Sequence, residues 1–328
     1  MEVNCAGCAG CCIDWRGLLQ PEANGGSDSP RTDGTAAPDG DDALTTTRQR
    51  GSLGTDDGSR RASIDDVANF VPLTREEVRA FLEAGYAAAL TPRFWRVRDE
   101  HEAVTVDGYD LAAVADRPAF FVGLRKPPKP VTPFELEEPV WLPACVFLDP
   151  TTLQCRIHDD DLFPAECGAY PAHNLALEAE TECERVEAAF GGERLLEADV
   201  EDEPVDLLLG SQAIGEKLFC HPEPDRLEGV IDRLARGEAT REDRATCLAV
   251  AAASSPGTLA ISEHHREQAR ERALEAASKT NDDAWVGPTI REWHRRRVQT
   301  DGTPSPTVAS AVEEARGAPE TPGWDDLE

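Results

Sequence analysis

Cys5-Ala-Gly-Cys8-Ala-Gly-Cys11-Cys12 is the stretch on which the reading of this chain turns. Thiolates held two residues apart can wrap a soft metal ion or an iron–sulfur cluster. The Ala-Gly spacers remove side-chain bulk and let the backbone turn sharply, with amides free to point at anionic sulfur. The first three cysteines have the spacing that opens a bacterial ferredoxin run, but the fourth ferredoxin cysteine, followed by Pro, is missing, and Cys12-Ile13 comes instead. In an extended chain the side chains of Cys11 and Cys12 point to opposite sides, so a single mononuclear ion would struggle to use both. That adjacency predicts two centres of four ligands each, or a polynuclear cluster.

The other half of the ligand set lies far along the chain, at Cys145, Cys155, Cys167 and Cys183. Val140-Trp-Leu-Pro-Ala-Cys-Val-Phe-Leu148 and Leu153-Gln-Cys-Arg-Ile157 flank an Asp149-Pro150 turn and predict a β-hairpin, with Cys145 and Cys155 on neighbouring strands. Cys167 follows in a loop. Cys183 falls on the apolar face of a helix expected over 175–190, with Leu175, Ala179, Val186 and Phe190. Of the remaining cysteines, Cys247 sits among alanines and reads as core, and Cys220-His221 is a weaker candidate for a centre. His158 and His173 flank Cys167 and read as neighbours of the thiolates rather than ligands. His264-His265 reads as solvated.

Outside these groups, residues 21–64 are rich in Gly, Asp, Ser, Thr and Arg and read as a disordered insert. Order is expected again near Val67. Thr74-Arg-Glu-Glu77 is a capping box that opens a helix with Val78, Phe81, Leu82, Tyr86 and Leu90 on one face. Residues 103–107 and 119–124 read as strands, and the Pro-rich run from Lys126 to Pro139 as a connector. Residues 193–204 read as solvated. The fold class expected is α+β: a small Cys-rich domain with a β-hairpin and flanking helices, built from 1–20 and 65–203. A helical region over 204–280 and a polar tail over 281–328 complete the organisation. Trp285, Trp293 and Trp324 in that last part read as packing residues.

The formal charge of the 328-residue chain is −30, with 63 acidic against 33 basic residues. Only Lys126, Lys129, Lys217 and Lys279 are lysines. Such a surface repels nucleic acid and anionic lipid and suits a protein working in concentrated salt. No apolar run reaches a membrane span, and Met-Glu-Val-Asn-Cys has neither the basic nor the apolar part of a secretory signal. The location expected is the cytoplasm, where thiols stay reduced and clustered cysteines read as ligands rather than disulfides.

Taken together, the runs Cys5 to Cys12, Cys145-Val-Phe-Leu148, Cys155-Arg-Ile-His158, Cys167-Gly-Ala-Tyr-Pro171 and Cys183 resemble the YkgJ-type cysteine-cluster family, a metal-binding module with zinc or iron as ligand. The resemblance covers residues 1–16 and 140–190. It departs at His158, where the family usually has Tyr, and at Phe163-Pro164, where it usually has Arg-Pro. The resemblance and the spacing together imply eight thiolate ligands for an iron–sulfur cluster or Zn²⁺. Some relatives form part of proteins assigned to lysine methylation of flagellin, so the resemblance leaves room for a metal-dependent enzyme, a protein methyltransferase or a redox enzyme. A third expectation is a zinc-stapled interaction module that engages a protein partner without catalysis. No Ser-His-Asp, Walker, Gly-x-Gly-x-x-Gly or His-Glu-x-x-His pattern is present.

Overall fold

In the computed structural model, which describes residues 1–19, 63–97, 103–199, 214–275, 285–299 and 302–326, the chain is an α+β protein. Its strands are β1 (Glu2–Val3), β2 (Leu90–Phe94), β3 (Ala103–Val106), β4 (Tyr109–Val114), β5 (Arg117–Leu124), β6 (Pro128–Val131), β7 (Val140–Pro143), β8 (Leu195–Glu197) and β9 (Phe219–Cys220). Its helices are α1 (Arg75–Glu83), α2 (Ala165–Ala169), α3 (Ala172–Ala176), α4 (Glu182–Phe190), α5 (Ile214–Lys217), α6 (Val230–Ala235), α7 (Arg241–Ala253), α8 (Glu263–Glu275), α9 (Val286–Gln299) and α10 (Pro306–Glu314).

The main sheet is antiparallel in the order β2-β5-β4-β3, with β9 also paired to β5. Two tight turns set its register. Asp107 and Gly108 both have positive φ between β3 and β4, and Ala115 and Asp116 do the same between β4 and β5. Two residues at positive φ match the right-handed twist of the strands they join. Phe120 and Val122 of β5 are fully buried, and Phe120 stacks on Phe94 at 5.1 Å between centroids. Each such side chain contributes about 1.5–3 kcal/mol of hydrophobic stabilisation. Gly123 has no room for a side chain: a Cβ there would lie 2.3 Å from the Val71 carbonyl oxygen. That close approach lets the 70–72 segment bridge to β5 at Pro72.

Under the sheet runs α7, whose stretch from Cys247 to Ala253 is buried throughout. Small alanine side chains let α1, α8, β2 and β9 all press against it. Helix α1 has the expected capping box, with Glu77 accepting from the Thr74 N–H at 2.6 Å and the Glu77 N–H donating to the Thr74 hydroxyl at 3.3 Å.

Several expectations change. Helix α1 ends at Glu83 because Gly85 turns the chain at φ +80°, so Leu90 opens β2 instead of closing the helix. The helix expected over 175–190 is two helices: Glu178 takes φ +52°, and a second capping box, Thr181 with Glu184, starts α4. The Pro-rich connector contains β6, which pairs with β7. Pro128 and Pro130 alternate there, so their missing N–H groups fall on the same edge of the strand. The hairpin expected around Asp149-Pro150 shrinks to a bridged turn with a single Leu148–Cys155 bridge, because β7 has β6 as its partner. Residues 195–197 form β8 against β1 instead of being purely solvated. Apart from Ser63 and Ile64, which join the edge of β2, the insert read over 21–64 lies outside the described residues.

The segment read as a polar tail carries α9 and α10, with Trp285 and Trp293 buried. It is fastened by a charged core. Lys129 and Glu313 are fully buried and paired at 2.8 Å. The Lys129 ammonium also donates to the carbonyls of Val146 (2.8 Å) and Leu148 (2.6 Å). Arg156 meets Glu313 at 3.2 Å and Asp149 at 3.0 Å. The Trp293 indole donates to Glu313 at 3.0 Å. Two cations and two carboxylates therefore tie α10 to β6 and to the 145–157 segment that carries Cys145 and Cys155.

Cys220 ends β9, which pairs with β5, and His221 beside it is 1% exposed. Its Nδ1 accepts the Glu223 N–H at 3.2 Å. Burial depresses its pKa from 6.5 to about 4, against a smaller opposing pull from that hydrogen bond. A neutral buried imidazole stabilises the fold above the unfolded pKa, and the contribution is lost as pH falls toward the folded value. From pH 7 to pH 5 the loss from His221 is about 2 kcal/mol. Urea unfolding at the two pH values checks this: the midpoint of His221→Gln should fall less than that of the native chain, and equal falls would contradict it.

No described helix is long and apolar enough to cross a membrane.

Candidate metal centre

Residues 5–12 fold as a succession of turns. The Cys8 N–H donates to the Cys5 carbonyl at 3.1 Å, and the Cys12 and Ile13 N–H groups donate to the Ala9 carbonyl at 2.9 and 3.1 Å. Gly7 and Ala9 adopt positive φ. The backbone is not extended, and the sulfurs of Cys11 and Cys12 come to 3.8 Å of each other. The opposite-sides argument made from the sequence therefore does not apply to this pair.

Three surfaces hold the loop. On one side, Gly10 lies against α4: a Cβ there would sit 2.7 Å from Val186 Cγ2 and 3.5 Å from Cys8 Sγ. On another, the Cys145 N–H donates to the Cys12 carbonyl at 2.8 Å, and Ile13 bridges to Ala144. At the start of the chain, the Asn4 N–H donates to the Arg194 carbonyl at 2.7 Å, and the Arg194 guanidinium donates to the Ala6 carbonyl at 2.9 Å. Trp15 anchors the exit from the loop. Its indole donates to Glu182 at 2.5 Å, and its ring meets Phe190 edge-on at 5.6 Å.

Asn69 was not singled out in the sequence. Its side-chain amide donates to the carbonyls of Gly10 (3.0 Å) and Ile13 (3.2 Å) and to the Glu182 carboxylate (3.0 Å). It spans the cysteine loop and α4. Nothing local in Val67-Ala-Asn-Phe70 announces that role, because all its partners are distant in sequence.

All eight sequence-selected cysteines line one cavity of about 1720 Å³: Cys5, Cys8, Cys11 and Cys12 from the loop, Cys145 and Cys155 from the bridged turn, Cys167 from α2 and Cys183 from α4. None is in a disulfide. Cys220 and Cys247 are buried and do not line it. His158 lies at its edge, exposed and paired with Asp159 at 3.1 Å. His173 points its Nδ1 at Glu166, 3.6 Å away, and His264 lies against Gln268 on α8. Among the described residues, no group of three or more His, Cys, Asp or Glu side chains is drawn together as a metal ion would require.

The surroundings of the sulfurs act on their protonation. Burial, with help from Cys11 and Cys8, pushes the Cys5 thiol up to about 11. Burial likewise pushes Cys155 and Cys183 to about 12, and raises Cys8, Cys145 and Cys167. Cys11 is the exception: the hydrogen bond from Cys12 lowers it, and the same bond, with burial, holds Cys12 well above the usual thiol range.

Some neighbouring groups pull the thiols the other way. The sulfur of Cys8 accepts the Gly10 N–H at 3.4 Å, and the backbone amides of Phe147 and Ile157 pull the Cys145 and Cys155 thiols down. In each case the donor is two residues on, the turn geometry that aims an amide at a metal-bound sulfur. Lys126 faces the thiols of Cys12, Cys145 and Cys11 and forms no ion pair with a carboxylate among the described residues. Beyond the sulfurs the cavity continues past Phe70, Trp95 and Phe121 and beside Arg93, which stacks on Phe70 at 4.3 Å and pairs with Asp65.

A family model described as "Family of unknown function (DUF7531)" matches residues 1–325. The chain belongs to this family. No curated protein and no solved structure matches the chain. The DUF7531 match spans the cysteine loop, the 145–183 segment and α10 alike, so the charged clamp and the sulfur-lined cavity lie within one family unit.

Proposed function

We propose that this chain is a metal-binding protein that coordinates an iron–sulfur cluster or zinc through the eight thiolates of Cys5, Cys8, Cys11, Cys12, Cys145, Cys155, Cys167 and Cys183. The observation that carries the reading is that sulfurs from two regions far apart in sequence line one cavity while the two other cysteines lie outside it. The donor set is soft sulfur, as zinc and iron–sulfur centres require. The neighbouring Glu182 carboxylate is taken up by Trp15 and Asn69. Amides on Cys8, Cys145 and Cys155, with Lys126 alongside, offset the negative charge that thiolate ligation creates. The resemblance to the YkgJ-type family, carried by the same cysteines, supports this assignment.

One observation favours a second reading, a metal-dependent enzyme of the methyltransferase or redox kind. The cavity is far larger than a metal centre needs, and it continues along an aromatic wall beside Arg93. A zinc-stapled interaction module would not need that space.

Purification without oxygen, followed by metal analysis and visible absorption, tests the proposal. Iron and sulfide in a brown protein support a cluster, and zinc in a colourless one supports closed thiolate sites. Neither metal, with all eight thiols open to a thiol reagent in the folded chain, would overturn it.

A further inference from the structure

We propose that the eight sulfurs divide into two four-sulfur centres in contact: Cys5, Cys8, Cys11 and Cys183 form one, and Cys12, Cys145, Cys155 and Cys167 the other. This rests on the metal-binding reading above and adds how the ligands are shared out.

The backbone divides the set at the Cys11–Cys12 peptide bond. Before it, the loop lies against α4, which carries Cys183; the contact at Gly10 leaves no room for a methyl group, and Cys8 Sγ is part of that contact. After it, the chain joins the other segment through the Cys12 carbonyl and the Ile13–Ala144 bridge, which place Cys12 beside Cys145. Cys145 and Cys155 are held close by the Leu148 N–H to Cys145 carbonyl bond (3.0 Å) and the Leu148–Cys155 bridge. The electrostatic neighbours of each thiol sort the same way. Cys183 feels Cys11, Cys5 and Cys8, whereas Cys12 feels Cys145 and Cys167, and Cys167 feels Cys145 and Cys155. Cys11 acts on members of both sets, so its place in the first rests on the backbone division, and its sulfur lies 3.8 Å from that of Cys12. Two filled centres would therefore meet in van der Waals contact through adjacent residues. Ferredoxins use a comparable device, in which the last cysteine of the run serves the other cluster.

Each divalent ion entering a centre displaces the protons of four thiols into solvent, and no oxidant or reductant takes part. Zn²⁺ is a suitable probe because its closed thiolate sites are tetrahedral. The full chain, stripped of metal under reducing conditions, is loaded with Zn²⁺ in competition with a chelator, and bound ions are counted by native mass spectrometry. The native chain should hold two. Cys183→Ser and Cys155→Ser should each hold one. Cys5→Ser/Cys183→Ser, with both changes in one centre, should still hold one, whereas Cys155→Ser/Cys183→Ser should hold none. Loss of both ions in the first double variant, or retention of one in the second, overturns the division. A native chain that binds a single ion overturns the pairing but leaves the metal reading standing; one that binds none removes the metal reading as well. X-ray absorption at the zinc edge of the native chain guards against a variant that fails to fold. Four sulfurs around every ion are expected, and a shell mixed with oxygen or nitrogen overturns the assignment.

Discussion

Glu313→Gln should destabilise the protein by about 3–5 kcal/mol, the cost of removing one partner from a buried ion pair. The substitution is nearly isosteric, so the loss is electrostatic. Lys129 and Arg156, both with fully buried side chains, would lose the carboxylate they share: Arg156 would keep Asp149 at 3.0 Å and Glu314 at 3.8 Å, and Lys129 the carbonyls of Val146 and Leu148. The uncompensated positive charge would sit beneath β6 and under the segment carrying Cys145 and Cys155. Chemical denaturation followed by tryptophan fluorescence is well placed to detect it, because the Trp293 indole donates to Glu313. Replacing Lys129 by Met in the same chain should recover part of the loss, since the pair is coupled and the two effects are not additive. A change below about 1 kcal/mol, the range of an exposed pair, would mean that the charged cluster does not hold the fold together.

If zinc fills the proposed thiolate sites, removing it should have a still larger effect. Structural zinc held by thiolates contributes an apparent ~10–16 kcal/mol at neutral pH, and that binding energy is also folding energy. The loop of residues 5–12 is held by backbone hydrogen bonds, the contact at Gly10 and the side chains of Arg194 and Asn69, and ligand bonds would add to these. Cys8→Ser should therefore lower metal content and thermal midpoint together. A loss of even ~5 kcal/mol corresponds to a fall of about 7 °C in a 328-residue chain. Cys247→Ser is the control. It places a hydroxyl in the packed interior of α7 and should lower the midpoint while leaving the metal content unchanged. A Cys8→Ser protein with full metal content, or a Cys247→Ser protein without metal, would contradict the assignment of ligands.

What could be read from the sequence was what depends on neighbours in the chain. The Thr74–Glu77 box predicted α1 because both partners lie within one helical turn. The same chemistry at Thr181–Glu184 was passed over, and the apolar periodicity from Leu175 to Phe190 ran across the break at Glu178. Asp107-Gly108 is a recognisable hairpin signal and would have revealed β4, whereas Ala115-Asp116 does the same work without a glycine and gives little sign of it. At the site, all eight cysteines could be named from spacing, and the structure brings them to one cavity. Their supports could not be named. Asn69, Trp15 and Glu182 meet across more than a hundred positions, and Lys129 and Glu313 across still more. A buried ion pair has no local pattern, which is why residues 281–328, with their charge and prolines, read as a tail.

The clamp at Glu313 has a consequence for how the chain is made. Ribosomes deliver about 5–20 residues each second, so roughly 15–60 s separate the appearance of the first cysteines from that of Glu313. Once made, Lys129 and Arg156 remain without their shared carboxylate until Glu313 follows, and the thiols of residues 5–12 precede Cys145 to Cys183, which complete the lining of the cavity. A nascent chain of this protein thus lacks the closing carboxylate of its charged core for most of its synthesis. The last turn of α10 is the piece that locks the interior.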